Sequence, residues 1–256
     1  MTMAYAQAVR ALWWRDVRKL VRQRARLLSG LAQPLMYLLA LGAGLNSVFA
    51  SAGYGDYTHF LSPGVVAMAV MTSSFVSGIS VLWDRKFGFL KESLVAPVPR
   101  WTIVMGRALG AATTASLQGG IVVLVSVALG NRLAGSAPSA LAALLGGMFI
   151  TGVVFALAGI WCGAIIEDFQ AVQLIVNFVL MPLFFLSGAL FPVKTASGAL
   201  AEAVKLNPVT YAVDLLRAAF TGQAQWGIAR DLGVIACCIG LGFVLATYAL
   251  SRVRVG

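Results

Sequence analysis

Six stretches of the chain contain no Asp, Glu, Lys or Arg: Leu27–Gly55, Tyr57–Trp83, Ala108–Asn131, Leu133–Ile166, Phe169–Val193 and Leu232–Ser251. Each is about 20 residues or longer, the length a helix needs to cross roughly 30 Å of hydrocarbon. A water-soluble domain of this size must return charged faces to solvent every few residues, and six such gaps rule that out. With 11% charged residues against about 25% in soluble domains, the composition points the same way. The chain therefore reads as all-α: a polytopic membrane protein with six transmembrane helices, expected at 28–50, 60–83, 102–130, 139–166, 170–191 and 232–251. These spans leave no length for a separate globular unit, so residues 1–256 are expected to form a single domain. The apolar run ending at Ala50-Ser51-Ala52 is too long for a secretory leader and reads as a retained first span.

An even number of spans places both termini on one side, and the basic residues say which. That side collects fourteen Lys and Arg residues, from Arg10 to Arg26, Arg85 to Arg107, and Arg252 and Arg254; the other side has five. The termini are expected in the cytoplasm. The net charge of +10 is thus a topology signal, and no nucleic-acid partner is expected.

The connecting segments have patterns of their own. Residues 4–26 place Tyr5, Val9, Leu12, Trp13, Val17 and Leu20 at helical spacing opposite Arg15, Arg18, Lys19 and Arg22, the pattern of an amphipathic helix in the membrane interface. Segment 84–100 interleaves charges with Phe87, Phe89, Leu90 and Leu94 and ends at Pro97 and Pro99, which halt a helix. An apolar stripe on a cytoplasmic loop suggests a docking surface. The tight turn at Glu167-Asp168 is either a solvated turn or a second contact. Pro34 and Pro63 fall near expected span starts, and Pro182 at mid-span predicts a kink. In the outer segment 192–230, Asn207-Pro208 reads as a helix cap and first position, Gly222 as its end, and Asp214 and Arg217 are spaced for an ion pair. Gly106/Gly110 and Gly159/Gly163 are steps that allow close helix approach. Cys162, Cys237 and Cys238 read as small apolar fillers, and the lone histidine, His59, as interfacial packing.

Several chemistries are absent from the sequence. There is no G-x-x-x-x-G-K-[ST] phosphate loop, no H-E-x-x-H and no G-x-S-x-G. No acid falls at a span centre, which disfavours a proton- or sodium-coupled carrier. A transporter of this kind must draw its energy from another subunit. The alternatives are an intramembrane enzyme, or a channel or scaffold that needs no ATPase.

The residues Phe87-Gly88-Phe89-Leu90-Lys91-Glu92 with Ala96-Pro97, Met181-Pro182-Leu183-Phe184-Phe185-Leu186-Ser187-Gly188 leading to Phe191-Pro192, and Asn207-Pro208 with Tyr211 and Asp214-Leu215-Leu216-Arg217 resemble the membrane subunit of type-2 ABC exporters. Among these the chain is most similar to the daunorubicin-resistance and nodulation-factor export permeases. The resemblance implies an N-terminal interfacial helix, a cytoplasmic coupling helix and an outer re-entrant helical hairpin before the last span. It implies export of a hydrophobic or amphipathic substrate (drug-like molecule, lipid or glycolipid) from the bacterial inner membrane. The chain itself would hold no cofactor, with ATP and Mg²⁺ on two copies of a partner ATPase subunit, and it would pair with a second permease copy, as a homodimer rather than a heterodimer, among membrane lipids. The resemblance assigns ATPase coupling to Phe87, Phe89, Leu90, Glu92, Glu167 and Asp168. The substrate pathway would be lined by Met68, Met71, Ser74, Phe75, Asn177, Met181 and Phe185. The outer gate hairpin would carry Asn207, Pro208, Tyr211, Asp214 and Arg217.

Overall fold

The computed structural model describes residues 2–22, 24–51, 55–87, 98–134, 137–192 and 198–253, with the backbone alone at 2–4, 21–22, 24–29 and 137. Every regular element among them is a helix. α1 (Thr2–Arg22) precedes α2 (Arg24–Met36), which passes through a π-helical turn at Tyr37–Leu41 into α3 (Gly42–Ser51). α4 (Tyr57–Gly78) runs through Ile79 into α5 (Ser80–Lys86), and the long helices α6 (Arg100–Ala128) and α7 (Ala137–Ile165) follow. α8 (Phe169–Ile175), a π turn at Val176–Leu180 and α9 (Met181–Phe185) form one interrupted helix. α10 (Ala199–Leu206), α11 (Pro208–Thr221) and α12 (Ile228–Arg252) complete the chain.

Five stretches are long and apolar enough to cross a membrane: Gly30–Ser51, Tyr57–Lys86, Arg100–Ala128, Pro138–Ile165 and Ile228–Arg252. The sixth, Phe169–Phe185, reaches only about 25 Å at helical rise. It stops short of the expected 170–191 because the chain turns at its end. Leu186 N donates to Pro182 O, the Ser187 hydroxyl donates to Phe184 O, and Gly188 takes φ 73°, a conformation that disfavours side chains. Pro34 and Pro63 lie near the starts of the spans Gly30–Ser51 and Tyr57–Lys86, as expected, each inside a helix. Asp56 caps α4 through its carboxylate to Thr58 N at 2.8 Å, so Pro63 sits well within the first two turns. The π turns lie next to Pro34 and Pro182, where the missing N–H shifts the backbone ladder.

α4 is the hub: its central window is 72% buried, against 17% for the first and last spans. Small residues permit that packing. A Cβ on Gly78 would strike Ala156 O and one on Gly159 would strike Phe75 O, so the α4 and α7 backbones touch. The two glycine steps thus have separate uses. Gly159 and Gly163 seat α7 on the α4–α5 rod, while Gly106 and Gly110 seat α1 on α6 against Leu12 and Asp16. α1 runs alongside α6 in the same direction, with Tyr5 edge-on to Trp101 at 5.9 Å and Trp13 Nε1 donating to Thr113 Oγ1 at 3.0 Å. Much of its apolar face therefore meets protein. At the end remote from the termini, Asn131 donates to the hydroxyls of Ser62 and Ser126, both at 2.8 Å, fastening α6 to α4. Nearby, His59 packs edge-on to Phe220 with ring centres 6.4 Å apart.

Candidate functional site

Phe89, Leu90 and Glu92 lie outside the described residues. Phe87, at the end of α5, is 64% exposed and stacks on Trp83, which in turn stacks on Phe169 at 4.1 Å. Lys86 Nζ sits 4.7 Å from the centre of the same Phe169 ring. Asp168 caps α8, its carboxylate accepting from Gln170 N at 3.0 Å, and Glu167 borders an open cavity with Arg85 and Arg252. Arg85 ties the two turns together by donating to Ala164 O and Ile166 O, each at 2.6 Å, at the carbonyl end of α7. Two segments some eighty residues apart thus form one unit at the end bearing the termini. Arg85→Ala is expected to lower unfolding stability by about 2 kcal/mol, since each charge-assisted bond is among the stronger kind. Arg85→Lys should recover less than half, because an ammonium lacks the fork that reaches both carbonyls. Unfolding midpoints in detergent measure both.

Beneath this unit lies a charge cluster. Asp84 of α5 pairs with the buried Arg107 of α6, and the Arg15 guanidinium of α1 approaches the same carboxylate oxygen at 3.5 Å. Arg15 also meets Asp16 at 3.2 Å, and Lys19 lies 4.0 Å from Asp16. Burial, followed by the Arg15 charge, pushes the Lys19 ammonium below its ordinary pKa. The cluster joins α1 to α5 and α6, the two helices from which the expected coupling loop departs and to which it returns. Asp84 and Arg107 close two charge-free stretches on the same side of the membrane, a signal of pairing that sequence reading passed over.

The expected pathway residues divide. Met68, Met71, Ser74 and Phe75 are all within 2% of full burial, on the face of α4 that packs into the body. Asn177 and Phe185 are exposed and Met181 is half-buried, on the outward face of the 169–185 helix. The neighbouring face of α4 does open: Thr72, Ser73 and Val76 join Gly30 and Gln33 of α2 and Gln173 in a groove of about 400 Å³. Spans one, two and five meet there, and the lining sets amide and hydroxyl groups among apolar ones. Gln173 Nε2 donates to Asn177 Oδ1 at 3.4 Å, and Gln33 Nε2 lies 3.7 Å from Met181 S. A search for charges alone missed Gln33, Gln118 and Gln173, the uncharged amides set within apolar spans.

The hairpin residues converge as the sequence suggested, with one correction. Asn207 caps α11 by accepting from Val209 N, Pro208 takes the first helical position, and Gly222 ends the helix at φ 78°. Tyr211 OH donates to Lys205 O at 2.7 Å, holding α10 to α11. Asp214 and Arg217 do not pair with each other. Both are largely buried, and each instead satisfies backbone: Asp214 accepts from Gln225 N and Trp226 N, and Arg217 donates to Gly188 O and lies over the Phe60 ring. Asn207 Nδ2 also donates to Leu183 O at 2.6 Å. The hairpin is therefore bolted to the turn that ends the interrupted fifth helix.

The described residues thus form an all-helical body with a side groove among spans one, two and five and a capped helix pair before the last span. The ABC-2 type transporter family model matches residues 7–221, and the chain belongs to that family. It is similar to Nodulation protein J of Rhizobium leguminosarum bv. trifolii, at 32% identity over 230 residues covering 89% of this chain and 86% of the relative. Nodulation protein J of Rhizobium meliloti (strain 1021) is 31% identical over 230 residues, covering 89% and 86%. The inner membrane transport permease YadH of Escherichia coli (strain K12) is 25% identical over 256 residues, covering 99% and 98%.

Proposed function

We propose that the chain is the permease subunit of an ATP-driven exporter in the bacterial inner membrane, with its termini cytoplasmic, moving an amphipathic substrate outward. The observation that carries this is the family match over residues 7–221 in a chain that has no phosphate loop of its own. ATP and Mg²⁺ are then bound by a separate ATPase subunit, present in two copies. The surface for that subunit is the unit at the end bearing the termini: Phe87 with the loop carrying Phe89, Leu90 and Glu92, and the Glu167-Asp168 turn that Arg85 holds beside it. Force applied there reaches α1 and α6 through Asp84 and Arg107. A second copy of the permease faces the groove among spans one, two and five and the outward face of the fifth helix that carries Asn177, Met181 and Phe185. The hairpin carrying Asn207, Pro208, Tyr211, Asp214 and Arg217 gates the outer mouth by moving with the turn at Leu183–Gly188.

The test is a pull-down of the tagged chain from its native membranes, followed by a hydrolysis assay. An ATPase is expected to co-purify. Changing Phe89 and Glu92 together should abolish substrate transport while the permease still inserts and purifies. A chain that purifies alone and supports no hydrolysis would overturn the reading, as would normal transport by the reconstituted double variant.

A further inference from the structure

The groove among spans one, two and five has a neighbour. A small cavity of about 60 Å³ lies under α1, bordered by Asp16 and Lys19, by Ser77 and Ser80 of the α4–α5 rod, and by Thr114 of α6. At roughly 10–15 Å³ for each ordered water, it has room for about four. Ser73 and Gln118 border both this cavity and the 400 Å³ groove, so the two spaces meet at those side chains. The groove is of substrate size, within the ~300–1,000 Å³ of small-molecule sites, whereas the inner cavity is a neck.

Gln118 is the informative residue. It is 4% exposed, yet its carboxamide makes no hydrogen bond to any described residue. Such a group presents two donors and two acceptor lone pairs to the two spaces that it borders. A Cβ at Gly30 would lie 3.1 Å from Gln118 Nε2, so the glycine keeps this amide uncovered on the groove side. The surrounding polar groups are Gln33, Gln173, Thr72 and Ser73. Among the described residues no Asp, Glu, Lys or Arg lines the groove, and at the neck Asp16 and Lys19 face each other at 4.0 Å.

We infer that this groove, with Gln118 as its floor, binds the uncharged, hydroxyl- or amide-bearing head of an amphipathic substrate, and that the cavity beneath α1 is a water-filled neck opening toward the termini. The inference rests on the exporter reading. A charged head buried in the groove would lack a counter-charge, and an apolar one would leave the amides unmet; a neutral head with donors and acceptors meets both conditions.

The test uses a chain whose Cys162, Cys237 and Cys238 are changed to alanine, with single cysteines at Ser73, Ser77 or Ser74. Ser74 is fully buried one residue from Ser73 and serves as the core control. In inverted membrane vesicles, a membrane-impermeant maleimide is expected to label Ser73→Cys and Ser77→Cys at least about tenfold faster than Ser74→Cys, a difference of ~1.4 kcal/mol in access. Octyl glucoside below its micellar concentration should slow labelling of Ser73→Cys, while octyl phosphate and octyltrimethylammonium, with the same tail, should not. Gln118→Leu should abolish that protection, while Ser77→Cys in the same background keeps its advantage over Ser74→Cys, which shows that the variant is folded. Labelling at Ser73 and Ser77 no faster than at Ser74 overturns the inference. So does an absence of protection by the glucoside, or equal protection by all three amphiphiles. Failure of the exporter reading shows elsewhere, as a chain with no co-purifying ATPase whose labelling pattern is unaltered.

Discussion

Asp84→Ala is expected to destabilise the protein by about 3–5 kcal/mol, the range for removing one member of a buried ion pair. Asp84 is the single carboxylate that both Arg107 and Arg15 address, and Arg107 is 2% exposed with two guanidinium nitrogens already lacking a partner among the described residues. Without Asp84, that cation is left between helices with nothing to offset its lost hydration. Arg107→Ala should cost less, because Asp84 keeps Arg15 at 3.5 Å. The informative variant is the double change Asp84→Leu with Arg107→Met, which fills similar volume with no charge and should return most of the stability. Unfolding midpoints of the detergent-purified variants measure all three. A double variant as unstable as Asp84→Ala would show that packing, and not the unpaired charge, is responsible. If the double variant folds but no longer couples hydrolysis to transport, the pair transmits motion between α5 and α6.

The broad architecture was legible because the bilayer imposes a coarse rule. Hydrocarbon excludes charge over about 20 residues, and a bare scan for Asp, Glu, Lys and Arg finds every such interval. The α11 helix was legible for a local reason, since Asn207, Pro208 and Gly222 each have a backbone preference that needs no tertiary context. What failed depends on which face of a helix meets which neighbour. Met68 and Phe75 look suited to a pathway, yet they pack inward, because the glycines of α4 and α7 decide which side of α4 closes. The polar side of the same helix, Thr72 and Ser73, is then left for the groove. Asp214 and Arg217 stood at the right spacing to pair, but burial obliges each to satisfy backbone groups that the sequence does not place. The short fifth helix shows the same limit: its apolar run continues to Val193, while the structure ends the helix at Phe185 through hydrogen bonds local to the turn.

Gly159→Val is expected to be as damaging as the loss of Asp84, for the opposite reason: it adds atoms where there is no room. The built Cβ would strike Phe75 O, with Phe75 C and Ile79 N at 3.0 and 3.1 Å, and all three are backbone atoms that cannot rotate away. The contact is reciprocal, since Gly78 stands against Ala156 O and Ile160 N in the same crossing. Overpacking usually costs about 1–3 kcal/mol, and here the only relief is to move α4 from α7, which opens the hub of the core, so the upper end or more is expected. Gly159→Ala should already cost a large part of this. Two controls lie away from the crossing, one on α6 and one further along α7 itself. Gly120 and Gly146 have no atom within 4 Å of a built Cβ, so alanine at either should be neutral or stabilising by about 0.5–1 kcal/mol through helix propensity. Gly78→Ala combined with Gly159→Ala should fall well short of additive, because helices already parted by one methyl accommodate the second. Strict additivity, or Gly120→Ala as harmful as Gly159→Ala, would mean that the cost comes from backbone entropy or lipid contact and that the α4–α7 crossing does not set the packing.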